Sequence, residues 1–163
     1  MNQMSADSGI LIRFTSLGAC SKRGEWAIDI LIYPAAFSYR HGIELYVKHL
    51  LNKLSTYNKS GVDYQKTHKL QDNWKLLEAE VKKSQLTCFD DVELSLAGDI
   101  VDEFCQIDPT GQVFRYPEDI KGNAHLTGLG VINVEVLEQG MDVLHGLLEK
   151  WRHGFQDLHD AGG

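Results

Sequence analysis

Arg40 and Glu44 stand four residues apart in the stretch YPAAFSYRHGIELYVKHLLNKL, residues 33–54. On a helix such a pair lies side by side and can hydrogen-bond. Turning about 100° per residue from Val47 places Ala36, Ile43, Leu50, Leu51 and Leu54 within about 60° of it. Arg40 falls at about +20° and Glu44 at about +60° on the same wheel. A cation and an anion therefore sit inside the apolar stripe. Three chemistries fit them. They can form an internal ion pair that ties this helix to a loop or a neighbouring helix. They can face a partner subunit. Or Arg40 can line a phosphate-binding cleft with Arg115, since a guanidinium fork suits phosphate. His68, at the start of the next helix, reads as a local hydrogen-bonding residue.

Other chemistries leave no signature. The seven histidines show no HExxH, and no Cys/His spacing suits zinc. GLG at 128–130 is a bare GxG without the third glycine, and neither a P-loop nor a GxSxG is present. No cofactor and no metal is expected. Cys20, Cys88 and Cys105 are odd in number, widely spaced and without CxxC, as expected of reduced thiols in a cytoplasmic protein.

The elements that must position these residues are helical. WAIDILIY at 26–33 is ambiguous between a buried helix turn and a strand and leans to helix; Pro34 suits a helix first turn, and the helix is expected to stop in STYNKSG at 55–61. A second starts near Thr67, with Leu70, Trp74, Leu77 and Val81 at helical spacing. A third starts at Asp90 or Asp91, with Phe89, Val92, Leu96, Ile100 and Phe104 as its stripe. Asp108-Pro109-Thr110-Gly111 is a turn. Residues 112–130 have no helical period and read as a long ordered loop, with an extended piece at 113–116. The last helix carries Val134, Leu137, Met141, Leu144, Leu148, Trp151, Phe155 and Leu158. The fold class is all-α, a bundle of four to five amphipathic helices with one long loop before the last. Residues 1–22 form a poorly ordered or partly helical segment, and 23–163 a single helical-bundle domain.

The chain has 163 residues and a formal net charge of −7. That length supports one domain with a real core, and that charge disfavours RNA or nucleotide as partner, because phosphate binding needs clustered Lys and Arg. No signal peptide is visible, and the apolar stretch AIDILIYPAAF at 27–37 is too short to span a bilayer. No membrane partner is expected. The wide apolar stripes suggest a homodimer.

The stretches PAAFSYRHGIELYVKHLL, THKLQDNW and FRYPEDIKG together resemble bacterial helical proteins of the HEPN (higher eukaryotes and prokaryotes nucleotide-binding) type, over roughly residues 34–158. The residues that carry the resemblance are Arg40, His41, Glu44, Leu45 and Lys48 on one helix, His68 and Leu70 at the next, and 114–117. It implies a helical bundle, usually dimeric, linked to toxin–antitoxin, phage-defence or RNA-processing systems. Active members are metal-independent ribonucleases with an Arg, four to six residues, then a His, near the start of the last helix; other members are binding modules. This chain departs from that pattern. In the corresponding place it has Arg115 and His125, with nine residues between them. Arg152 and His159 have six between them, but fall at the chain end. The leading expectation is an interaction module that binds itself or a protein partner. The alternatives are a ribonuclease using Arg115 and His125, or a nucleotide or small-ligand pocket under the 112–130 loop. Arg115 is expected to be held by Glu44.

Overall fold

A computed structural model describes residues 25–116, 118, 121–123 and 134–161, without the side chains of 25–31, 134 and 159–161. Among these residues the fold is all-α, with four helices: α1 (Glu25–Asn58), α2 (Leu70–Ser84), α3 (Asp91–Ile107) and α4 (Val134–Ala161). The segment 1–22 lies outside the described residues.

The apolar stripes of α1, α2 and α4 find the interior, apart from Leu158 at the end of α4, which is exposed. Ala36, Ile43, Val47, Leu50, Leu51 and Leu54 of α1 are buried against Leu70, Trp74, Leu77 and Val81 of α2 and Leu137, Leu144, Leu148 and Trp151 of α4. Asp90 caps α3, its carboxylate accepting from the N–H groups of Val92 and Glu93 at 2.9 and 3.1 Å, as an N-cap aspartate should. Two boundaries differ from expectation. α1 starts nine residues before Pro34, so this proline lies inside the helix rather than in its first turn. Ser38 uses the turn around it, its hydroxyl donating to the Pro34 carbonyl at 2.8 Å. α2 starts at Leu70 with Lys69 as its cap residue, not Thr67.

The stripe of α3 is also displaced. Val92 is 76 % exposed. A spacing of four residues overshoots a turn by about 40° each time, so three such steps swing Val92 about 120° from Phe104. The buried face is instead Leu94, Ala97, Ile100, Val101, Phe104 and Cys105.

The helix directions follow from the cross-links. Near the start of α2, His68 meets Arg40 and Glu44, whereas Asn58 at the end of α1 bonds Glu80 near the end of α2. α1 and α2 are therefore parallel. The connecting segment 59–69 must run back alongside α1, and Val62 and Tyr64 pack on the core as it does so. Buried Asn73 holds this segment by accepting from the Gln65 N–H at 2.7 Å and donating to the Gln65 carbonyl at 3.2 Å. α3 returns antiparallel, with Gln71 on Asp102 and Gly98 against Trp74. α4 runs with α1, since Tyr46 meets Glu149 and Tyr57 meets Phe155. It runs against α3, where Lys150 bonds Glu93 at 2.6 Å.

Candidate functional site

Arg40 and Glu44 are each 2 % exposed. The helical period alone brings them together, with Arg40 Nη1 and Glu44 Oε2 at 3.3 Å. Burying charge in this way requires further partners, and tertiary packing supplies them. Arg40 Nε donates to the Asp108 carbonyl at 2.9 Å and lies 3.7 Å from the Asp108 carboxylate. Arg40 Nη2 donates to the His68 carbonyl at 2.7 Å. One guanidinium thus joins α1, the entry to α2 and the exit from α3.

Glu44 is the second hub. Its Oε1 accepts from Lys48 Nζ at 2.7 Å and lies 3.1 Å from His68 Nδ1. Burial pushes the Glu44 carboxyl upward, but the Lys48 ammonium and the His68 ring outweigh it, and the net shift is downward. Lys48 also sits over the Tyr64 ring at 5.6 Å, within cation–π range. His68 itself is 63 % exposed at its side chain. It bridges this buried network to solvent.

Asp108 is wholly buried at the C-terminus of α3. Its Oδ1 accepts from the N–H groups of Gly111 and Gln112 at 2.6 and 2.9 Å. Gly111 has φ +78°, and a Cβ there would come within 2.7 Å of Arg40 Nη1. The DPTG turn is therefore folded onto the guanidinium, and only glycine fits at its end. The turn leads into residues 113–116, which are not extended. The Gln112 carbonyl accepts from the N–H groups of both Arg115 and Tyr116, closing a turn that buries Phe114.

That turn changes where Arg115 goes. Strand alternation would separate it from Phe114 and Tyr116; instead Arg115 Cζ lies over the Tyr116 ring at 5.3 Å and the Phe37 ring at 5.2 Å. Glu44 does not hold it, being occupied by Arg40, Lys48 and His68. His41 is on the exposed side of α1, stacked on Phe37 with ring planes 9° apart. His125 lies outside the described residues. Arg152 is bonded to Glu149, with Nη2 to Oε2 at 2.7 Å, and the His159 side chain is not among those described. The Tyr46 hydroxyl donates to the same Glu149. These partners hold the Glu149 carboxyl down at about 2.

Among the described residues Cys105 is buried and Cys88 half-buried, and both are free thiols; Cys20 lies outside the described residues. Burial pushes the Cys105 thiol up to about 11, which makes it a poor nucleophile near neutral pH.

Between α1 and α4 a cleft of about 230 Å³ is lined by Tyr39, Gly42, Ile43, Tyr46, Met141 and Leu148 among others. Sequence reasoning missed Asp108, Phe37 and the Tyr46–Glu149 contact. Asp108 left a signal, because an aspartate ending a helix faces the negative end of the helix dipole and calls for a nearby cation. Phe37 and Glu149 are ordinary helix residues whose partners come from distant segments. No protein-family model matches the chain, and no curated protein or solved structure matches it either.

Proposed function

We propose that this chain is a helical interaction module of HEPN-like type, acting in a toxin–antitoxin or phage-defence setting through self-association or a protein partner. The observation that carries the reading is the apolar cleft between α1 and α4, with Tyr39, Gly42 and Tyr46 on one helical face. Its walls are apolar enough to seat side chains of another surface. Two further facts support it. Arg40 directs its donors to groups inside the fold, and Arg152 is engaged by Glu149, so neither is free to serve a substrate phosphate.

Light scattering at micromolar concentration tests self-association. The wild type is expected above its 18.4 kDa chain mass, and Tyr39→Glu, which puts a charge in the cleft, is expected to shift it toward that mass. A wild type that scatters as a monomer would defeat the self-association half of the reading. A metal-independent ribonuclease is the second reading, and the exposed position of Arg115 is what favours it. In that case purified protein cleaves RNA, and Arg115→Ala and His125→Ala each abolish cleavage.

A further inference from the structure

Arg115 lies over two rings, Phe37 from α1 and Tyr116 from its own turn, and His41 also stacks on Phe37, with ring centroids 5.8 Å apart. None of the ion pairs among the described residues includes it. The side chain is exposed, as are His41 and Tyr116.

Its backbone is fixed from beneath. Arg40 anchors Asp108, Asp108 caps Gly111 and Gln112, and the Gln112 carbonyl closes the turn that carries Arg115. Phe114 pins that turn to the core. The buried charges of α1 thus set the position of a cation on the surface. A guanidinium resting on aromatic faces still has its N–H edge for an acceptor in its own plane, and a carboxylate matches that fork with two parallel bonds.

We infer that Arg115, Phe37, Tyr116 and His41 form a recognition surface for a carboxylate-bearing, aromatic-containing segment of a partner protein. This inference rests on the module reading and names the chemistry of its partner. The carboxylate meets the Arg115 edge, and the exposed Tyr116 and His41 rings offer faces on which an aromatic side chain of the segment stacks. The number of cations selects this occupant over a nucleic acid. Affinity for a phosphate backbone comes from several cations releasing counterions together, whereas this surface is built around a single arginine. One oriented arginine is enough for one carboxylate.

The test is fluorescence anisotropy with three labelled probes: a short peptide alternating Glu and Phe, its Gln/Phe counterpart, and a short uridine oligonucleotide. The Glu/Phe peptide is expected to bind the wild type, and the Gln/Phe peptide at least about tenfold more weakly, the scale of one charge-assisted hydrogen bond. Arg115→Ala and Arg115→Lys should each lose about tenfold, because lysine lacks the planar fork. Leu45→Ser, at an exposed α1 position, should lose nothing. Equal melting temperatures for all variants confirm that folding is unchanged. The inference is overturned if Arg115→Ala binds the peptide like the wild type, or if no probe binds. It is also overturned if the oligonucleotide binds more tightly than the peptide and depends on Arg115, which assigns the surface to nucleic acid. Light scattering of the wild type separates the two readings. A wild type that self-associates but binds no probe overturns the carboxylate surface alone, whereas a monomeric wild type counts against the module.

Discussion

At the scale of single residues, Arg40 and Glu44 are interior charges whose value lies in what they hold. Arg40 donates to two backbone carbonyls as well as to Glu44, so its loss removes a donor from the Asp108 carbonyl and leaves the His68 carbonyl with the Leu70 N–H alone. Arg40→Met is expected to destabilise by about 3–5 kcal/mol, the cost of breaking a buried pair. Glu44→Gln should cost less, because Lys48 and His68 can turn to solvent when their acceptor weakens. The double variant should cost less than the sum of the singles, by about 0.5–3 kcal/mol, since neither charge is then left facing an empty partner. Denaturant titration of the four proteins checks this. Additive effects would mean that Asp108 and the His68 carbonyl, not Glu44, are what stabilise the guanidinium.

At the scale of elements, the turn after α3 is the joint through which the buried network reaches the surface. Gly111 and Gly122 share a φ of +78°, yet they differ in surroundings. A Cβ on Gly111 would strike the Arg40 guanidinium, whereas among the described residues nothing lies within 4 Å of one on Gly122. Gly122→Ala should therefore cost about 1–2 kcal/mol, the left-handed backbone penalty alone. Gly111→Ala should cost clearly more and should weaken peptide binding at Arg115, because the guanidinium and the turn must both move. Thermal melts of the two variants make the comparison. Similar shifts would show that Arg40 yields easily, and that the turn is not clamped from below.

At the scale of the whole molecule, the parallel setting of α1 and α2 depends on the return segment 59–69 lying along the bundle. Parallel neighbours need a connection that recovers the full overlap, here about 21 Å for the fourteen residues from Glu44 to Asn58 at 1.5 Å each. Asn73 keeps that segment in place through both groups of Gln65. Asn73→Ala strands a donor and an acceptor in a half-buried place and is expected to lower stability by about 1–3 kcal/mol. Amide exchange at residues 62–66 should rise more than at α3 or α4. Uniform acceleration across the chain would instead mean that the segment and the bundle open together.

The four helices, the start of α3 at Asp90 or Asp91, the buried stripe of α4 from Leu137 to Phe155 and the burial of Arg40 with Glu44 were legible in the sequence. Each depends on a local period or a local cap, and a helix of 3.6 residues per turn makes neighbours of residues three and four apart wherever it is placed. The parallel course of α2 was not legible, because an eleven-residue connection allows either direction until Asn73 and Tyr64 find their places. Nor was the turn at 113–116. Its residue types suit an extended piece, and only the Asp108 cap and the burial of Phe114 bend it. The position of Arg115 follows from that bend. A side chain's neighbours across the bundle come from segments dozens of residues apart, and hydrogen-bond demand in the buried interior, not local periodicity, chose them.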